Sequence, residues 1–244
     1  MAPRILIAGN WKMNGLRQSL GFLDEIRVLC ESRADLDVLI APPAHLLIPA
    51  VENAGAVIIG GQDCHFANAG AHTGDISAEM LANAGARFVI VGHSERRADH
   101  GETSTLVRQK AEAAQRANLI PIICVGESER DRRAKQHEAV VGDQLDHSLP
   151  TSGDFVIAYE PVWAIGSGLT ASLDDIAAMH AFIRTRILNG ATTRILYGGS
   201  VKPENAKEIL SLDDVDGALI GGASLKSDDF AAIIEAAPVR TEVS

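Results

Sequence analysis

The chain has 244 residues, a formal net charge of −10 at pH 7, and 46% hydrophobic residues. This acidic balance, without a stripe of lysines and arginines, argues against a nucleic-acid surface, because phosphate backbones are bound by clustered basic side chains. It does not exclude a small anionic substrate, since the nearest charges set the field in a pocket. No apolar run reaches the roughly 18 residues that a membrane span needs, and the N-terminus shows no targeting pattern. We therefore expect a cytoplasmic protein that contacts neither nucleic acid nor membrane.

The cysteines Cys30, Cys64 and Cys124 form no CxxC pair, so neither a disulfide framework nor a structural zinc site is indicated. This agrees with a reducing compartment, and the sequence leaves the redox sensitivity of the three thiols open. His65 and His72 are interpreted as loop residues, and there is no HExxH helix. The sequence therefore predicts no metal site.

Short apolar runs rich in β-branched residues recur along the chain. They begin at Arg4, Asp37, Ala56, Phe88, Ile120, Phe155, Thr193 and Asp216. Each run is continuous rather than alternating, which is typical of strands buried on both faces. Segments with helical periodicity lie between them, namely 19–30, 76–86, 103–119, 172–188 and 204–212.

Strand and helix therefore alternate through the whole chain, with no linker or low-complexity segment. This pattern predicts a parallel sheet with right-handed crossovers. About eight strands in roughly 250 residues favour an α/β fold of one closed (β/α)₈ barrel, a single domain over residues 1–244. A barrel would also gather at one mouth the polar residues that follow the runs: Asn10, Lys12, Gln62, His93, Glu95, Glu127, Glu160, Ser200, Gly221 and Gly222.

Two motifs place polar side chains two residues apart. In GNWKMNG, strand alternation predicts that Asn10 and Lys12 share one face while Trp11 takes the other. In VGHSERR, His93 and Glu95 repeat this spacing. Taken alone, the first motif fits a capped strand end with a solvated lysine equally well. A histidine placed as His93 is more often a packed or hydrogen-bonded structural group, and Glu95 could serve only to neutralise Lys12.

The stretch YEPVWAIGSGLTAS joins a carboxylate to an apolar, glycine-containing segment. Pro161 restricts Glu160 to extended geometry, and the following apolar side chains would remove water from the carboxylate and increase its basicity, as suits a general base. GSGLTA matches a dinucleotide fingerprint but begins several residues after the strand, so we interpret it as part of a flexible lid. The predicted lid consists of Pro161, Val162, Trp163, Ala164, Ile165, Gly166, Ser167, Gly168, Leu169 and Thr170.

Glycine pairs follow the last two runs, in YGGS at 197–200 and IGGAS at 220–224. Glycines let backbone amides approach an anion closely, and in barrels these two loops often hold a phosphate. Glycine pairs are also common in purely structural turns.

Taken together and in order, AGNWKMNG, GHSERR, YEPVWAIGSG, YGGSV and GGASL resemble the triosephosphate isomerase family over Ile5 to Ile234. The resemblance implies interconversion of dihydroxyacetone phosphate and D-glyceraldehyde 3-phosphate through an enediolate, in glycolysis and gluconeogenesis, without a metal or organic cofactor. It assigns Glu160 as the base and His93 as the electrophile. Lys12 and Asn10 would contact the substrate, and Glu95 would pair with the lysine.

The resemblance also implies how the rest of the site is built. The phosphate would be held by backbone amides of Gly166, Ser200, Gly221 and Gly222, under a lid that protects the enediolate from water. Ser167 and Leu169 stand where the family commonly has threonine and lysine, which bears on lid kinetics.

The segment 61–77 resembles the loop by which two subunits of this family interlock. Thr73 would lie at its tip, against Asn10 of the partner subunit and the partner's Glu95. The expected assembly is therefore a homodimer, whose further association the sequence leaves open.

Two other functions remain open from the residues alone. One is a barrel aldolase in which Lys12 forms a Schiff base with a sugar phosphate, although nothing beside Lys12 favours a neutral amine. The other is a non-catalytic barrel that binds phosphorylated sugars, since a fold does not fix a function.

Overall fold

The structure, a computed structural model, describes residues 3–164, 171–188 and 190–240. Its eight strands are all parallel and pair in sequence order into a closed barrel, with the last strand beside the first. The predicted (β/α)₈ barrel is confirmed. The strands are Leu6–Asn10 (β1), Asp37–Ala41 (β2), Ile58–Gly61 (β3), Phe88–Val91 (β4), Ile120–Val125 (β5), Val156–Tyr159 (β6), Ile195–Tyr197 (β7) and Gly217–Ile220 (β8).

Helices connect the strands around the outside. The described residues form Gly21–Ser32 (α1), Leu47–Asn53 (α2), Ala78–Asn83 (α3), Ser94–Asp99 (α4), Ser104–Arg116 (α5), Glu129–Arg133 (α6), His137–Ser148 (α7), Leu173–Arg186 (α8), Pro203–Leu210 (α9) and Ser227–Ala236 (α10). Several begin at hydroxyl caps: Ser77, Thr103 and Ser172 each accept a hydrogen bond from a backbone N–H of the first turn. None of these helices combines the length and apolar character needed to cross a membrane.

Two apolar layers explain why the strand runs are continuous rather than alternating. Leu6 and Ala8 of β1 belong to the inner cluster, which fills the barrel with residues such as Leu39, Phe88 and Ile122. Ile7 belongs to the outer cluster, between barrel and helices. Both faces of each strand are therefore buried, as the sequence pattern predicts.

All three cysteines are free and buried. Burial raises the pKa of Cys30 to about 11 and that of Cys64 to about 12. Burial also raises the pKa of Cys124 well above its ordinary value, with the charge of Glu160 acting in the same direction. The reactive thiolate form is therefore scarce at neutral pH.

Candidate active site

The mouth of the barrel begins at the end of β1. Lys12 adopts a left-handed backbone conformation with φ of 52°. Its N–H donates to Asn10 Oδ1 at 3.0 Å, and its carbonyl accepts from Gln62 Nε2 at 2.8 Å. The left-handed conformation costs a non-glycine residue about 1 to 2 kcal/mol, which these bonds help to offset.

Asn10 and Lys12 do line the same cavity. Trp11, which also contributes to its wall, is buried with its ring in an edge-on contact with Phe22. The reason given from the sequence was wrong, however. β1 ends at Asn10, so Lys12 reaches the cavity through the left-handed turn and not through strand alternation.

Lys12 and Glu95 form an ion pair across the mouth. Lys12 Nζ lies 2.6 Å from Glu95 Oε1. Partial burial raises the pKa of Glu95, but the hydrogen bond from Lys12 and the charges of His93 and Lys12 together outweigh this effect, so the pKa lies below its ordinary value. Glu95 therefore stays ionised and holds the Lys12 ammonium in place.

His93 caps the N-terminus of α4 and points into the barrel mouth. Its Nδ1 accepts the backbone N–H of Glu95 at 3.2 Å. Its Nε2 lies 2.9 Å from Glu160 Oε1. Because Nδ1 acts as an acceptor, the imidazole proton lies on Nε2, the nitrogen that faces the carboxylate.

Glu160 follows β6 and is 2% exposed. Its Oε2 accepts the backbone N–H of Ser94 at 2.9 Å, and its Oε1 lies 3.4 Å from the Ser94 hydroxyl. Within the described part of the chain, no lysine or arginine forms an ion pair with it. Gly198 leaves room for this side chain, since a Cβ there would lie 2.9 Å from Glu160 Cγ.

The first residues of the predicted lid are anchored by a buried carboxylate. Glu127 Oε1 accepts from Trp163 Nε1 at 2.9 Å and from the Tyr159 hydroxyl at 3.1 Å. The Arg132 guanidinium lies 5.7 Å from the Trp163 ring centroid. Glu127, expected at the mouth only as one of several polar residues, thus fixes where the lid begins.

The second half of the predicted lid lies outside the described residues. This part comprises Ile165, Gly166, Ser167, Gly168, Leu169 and Thr170. Pro161, Val162 and Ala164 are described, with Val162–Ala164 forming a 3₁₀ turn.

A cavity of about 550 Å³ unites these groups. Asn10, Lys12, His93 and Glu160 lie on its wall, and Ser200, Gly221 and Gly222 lie there as well. A Cβ at Gly222 would meet no protein atom within 4 Å, whereas one at Gly221 would lie 3.3 Å from Lys12 Cε. Packing within the protein therefore does not require glycine at 222, where the backbone is open to a ligand in the cavity.

Comparison with known proteins shows the family. The family model described as triosephosphate isomerase matches residues 5–237. The triosephosphate isomerase of Afipia carboxidovorans is 57% identical over 246 residues, which is 96% of this chain and 98% of that protein. The enzyme of that name from Caulobacter vibrioides is 55% identical over 246 residues, covering 96% and 97% of the two chains.

A solved structure agrees with these relatives. The crystal structure of triosephosphate isomerase from Bartonella henselae superposes with a TM-score of 0.89 at 47% identity, covering 96% of this chain and 98% of the other.

The chain belongs to the triosephosphate isomerase family. The predicted family, and with it an isomerase enzyme, is confirmed.

The aldolase alternative fits this site poorly. Schiff-base chemistry begins with a neutral amine, whereas Lys12 Nζ is held 2.6 Å from the ionised Glu95. The purely binding alternative leaves unexplained why a buried carboxylate faces an imidazole N–H in the cavity.

Ser94 is the residue of the site that sequence reasoning missed. It was treated only as part of the GHSERR motif, yet both its N–H and its hydroxyl face Glu160. A serine directly after the candidate histidine, at the start of a helix with free N–H groups, was the available signal.

The loop between β3 and α3 carries Thr73 and brings together His65, His72 and Asp75. Thr73 is exposed and, within the described part of the chain, forms no hydrogen bond or ion pair with the site. The imidazoles of His65 and His72 lie with centroids 4.0 Å apart and planes tilted by 32°. Single ligand atoms of the two histidines and Asp75 lie within 4.8 Å of one another. The sequence did not predict this grouping.

The bonding of His65 limits what this group can coordinate. Its Nδ1 accepts the backbone N–H of Ala67 at 3.0 Å, which places the imidazole proton on the Nε2 that faces Asp75. Binding a metal through Nε2 would move the imidazole proton to Nδ1. The hydrogen bond from the Ala67 N–H to Nδ1 would then be lost.

Proposed function

We propose that this chain interconverts dihydroxyacetone phosphate and D-glyceraldehyde 3-phosphate, with Glu160 as the base and His93 as the proton donor to oxygen. One observation carries the proposal: His93 Nε2 lies 2.9 Å from Glu160 Oε1 on the wall of one cavity. A base and an N–H donor so placed can serve adjacent carbon and oxygen atoms of a small substrate.

The reaction balances with these groups alone. Glu160 takes a proton from the carbon beside the carbonyl, and the C–H electron pair forms the carbon–carbon double bond of the enediolate. The carbonyl electron pair moves to oxygen, where the Nε2–H of His93 stabilises the charge. Glu160 then returns the proton to the neighbouring carbon, and the hydroxyl proton moves between the two oxygens.

Lys12 and Asn10 support the charge that develops. The Lys12 ammonium lies on the cavity wall, fixed by Glu95 and by the strained turn at its own backbone. A preorganised cation near a developing oxyanion lowers the barrier without reorganisation during the reaction. The Asn10 side chain, which accepts the Lys12 N–H, keeps that turn in place.

The phosphate would lie against the backbone of the two glycine-containing loops on the cavity wall. Backbone amides of Ser200, Gly221 and Gly222 would hold it, with Gly166 of the lid completing the set. The function would place the enzyme in glycolysis and gluconeogenesis, in the cytoplasm.

Proton NMR in D₂O tests this proposal directly. The purified protein, with EDTA present, is incubated with dihydroxyacetone phosphate, and both triose phosphates are followed. Deuterium at the exchanging carbon, together with the appearance of the aldehyde product, is expected. A folded protein that gives neither would overturn the assignment of Glu160 and His93.

We also propose that the chain acts as one barrel domain and as a homodimer. The exposed tip at Thr73 supports the assembly, as does the 96% exposed Met13 next to Lys12. A partner subunit covering this side chain would remove its apolar surface from water.

Sedimentation velocity tests the homodimer. Thr73→Arg should produce a monomer, whereas Thr151→Arg, an exposed threonine in the loop before β6, should leave the dimer intact. Identical sedimentation of the two variants would contradict the assignment of this loop as the interface.

A further inference from the structure

Three lysines lie on the wall of the catalytic cavity: Lys12, Lys202 and Lys226. Lys12 is held by Glu95. Lys202 directly precedes α9 and Lys226 directly precedes α10, so each follows a loop that carries the proposed phosphate amides. Both side chains are exposed.

Lys202 and Lys226 differ from Lys12 in their partners. Among residues 3–164, 171–188 and 190–240, neither ammonium lies within 4.0 Å of a carboxylate in an ion pair. Their charges are therefore directed toward solvent at the mouth of the cavity. We call this pair the cationic rim.

The rim stands out against the charge of the whole protein. The chain carries a net charge of −10, which repels a doubly charged phosphate ester at long range. Glu204 and Asp229 on the cavity wall add to this repulsion close by. Without the rim, Lys12 would be the only cation on the described wall, and Glu95 already screens it.

We propose that Lys202 and Lys226 attract the triose phosphate into the cavity without taking part in the chemical steps. The inference rests on the function proposed above and adds two residues to it. Exposed charges act over about one Debye length, about 10 Å at 0.1 M salt, which reaches across the cavity mouth. Such attraction favours the encounter and contributes to kcat/KM, which measures the step from free enzyme and substrate to the transition state.

The test compares charge-neutralising variants at several ionic strengths. The double variant Lys202→Gln with Lys226→Gln should lower kcat/KM about fivefold at low salt, leave kcat within about twofold, and approach the wild type at about 0.5 M salt. The matched control is Lys207→Gln, which removes one exposed charge from α9 away from the cavity wall. It should change kcat/KM by less than about 1.5-fold under the same conditions.

Neutralising the carboxylate of Glu204 should change kcat/KM in the opposite direction. Glu204→Gln should raise kcat/KM at low salt, because it removes a negative charge from the same wall. A double lysine variant that loses activity equally at low and high salt would overturn the proposal, since it would reveal a direct contact. A salt dependence equal to that of Lys207→Gln would also overturn it.

The two proposals can fail separately. Absence of isomerisation by the folded wild-type protein would remove the proposed function. Stopped-flow association of 2-phosphoglycolate with the same variants then decides the role of the rim independently of turnover. Slower association of the double variant at low salt supports the role, and unchanged association refutes it.

Discussion

The two ends of the barrel use carboxylates in opposite ways. At the end where the strands begin, Asp216 lies 2.5 Å from Arg184 and 2.8 Å from Arg240. Asp37 at the start of β2 likewise contacts two guanidiniums. At the end where the strands finish, Glu160 contacts His93, Ser94 and the Cys124 thiol, and no lysine or arginine of the described residues forms an ion pair with it.

This difference distinguishes carboxylates that stabilise the fold from the carboxylate that reacts. A carboxylate that contacts two guanidiniums pairs their charges and so holds together the parts of the chain that carry them. A carboxylate without a fixed cation can take up a proton and release it again without breaking an ion pair. Among the residues that the structure describes, the reactive carboxylate at the mouth is thus kept free of a fixed cation, while other carboxylates there, such as Glu95, do form ion pairs.

The largest expected effect comes from removing the reactive carboxylate. Glu160→Gln keeps the shape of the side chain but cannot accept a proton, so kcat should fall about 10³-fold or more. Binding of phosphoglycolate and the free energy of unfolding should change little. Steady-state kinetics, isothermal titration and urea unfolding measure the three quantities. Turnover close to that of the wild type would show that another group is the base.

Asp216→Asn should give the opposite result. The substitution leaves Arg240 without its carboxylate, leaves Arg184 with Asp214 alone, and replaces an acceptor of the Ile195 N–H at 3.0 Å. Breaking a buried ion pair costs about 3 to 5 kcal/mol, which urea unfolding would register. kcat at 25 °C should stay within about twofold of the wild type, provided that the variant is folded. An unchanged free energy of unfolding would mean that this end does not carry the stability assigned to it.

The sequence revealed one end of the barrel much better than the other. The reactive groups follow strand runs directly, so once the strands were counted, Asn10, His93 and Glu160 had to meet at one mouth. The structural ion pairs join residues far apart in the chain, such as Arg184 with Asp216 and Arg4 with Asp37. No periodicity marks such pairs, because their spacing depends on how helices pack on the barrel.

Local backbone geometry also escaped prediction. Strand alternation predicts that Lys12 faces the cavity with Asn10, but Lys12 lies beyond the strand in a left-handed turn, so the rule does not apply to it. The role of Ser94 depends on how β4 and β6 lie in the barrel, because its N–H donates to Glu160, 66 positions away in the chain. Contacts of this kind depend on tertiary structure, which a pattern of residue types along the chain does not specify.

A third prediction concerns a buried histidine between the two ends. His180 on α8 is fully buried, donates from Nδ1 to the Asp214 carbonyl at 3.0 Å, and packs near Tyr159 and Tyr197. Burial lowers its pKa from 6.5 to about 4. The unfolded chain therefore takes up this proton as the pH falls below 6.5, whereas the folded protein resists protonation until about pH 4.

As the pH falls from 6.5 to about 4, His180 alone should accordingly lower the free energy of unfolding by up to roughly 3 kcal/mol. Above pH 6.5 it should have no effect on this free energy. His180→Gln removes the titration while its amide can still donate to the Asp214 carbonyl. Urea unfolding at about pH 7.5 and about pH 5 should show a smaller loss of stability on acidification in the variant than in the wild type. Equal losses would show that His180 does not contribute to acid sensitivity.

The smallest expected effect concerns Ser94, beside the reactive carboxylate. Its hydroxyl lies 3.4 Å from Glu160 Oε1, a long hydrogen bond, whereas its backbone N–H lies 2.9 Å from Oε2. Ser94→Ala removes only the longer bond and keeps the shorter one. Since a hydrogen bond contributes about 1 kcal/mol net, kcat should fall by no more than about fivefold, with the free energy of unfolding nearly unchanged.

A matched control separates this effect from the loss of any nearby serine hydroxyl. Ser104 at the start of α5 accepts a hydrogen bond from the Arg97 guanidinium at 3.2 Å. Its hydroxyl forms no hydrogen bond with Glu160, so Ser104→Ala should leave kcat within about 1.5-fold of the wild type. A fall of 100-fold or more in Ser94→Ala, with kcat of the control unchanged, would mean that the hydroxyl takes part in proton transfer. Ser94 would then be a second reactive group at the mouth beside Glu160. The backbone N–H of Ser94, which the variant retains, would not be enough to keep Glu160 active.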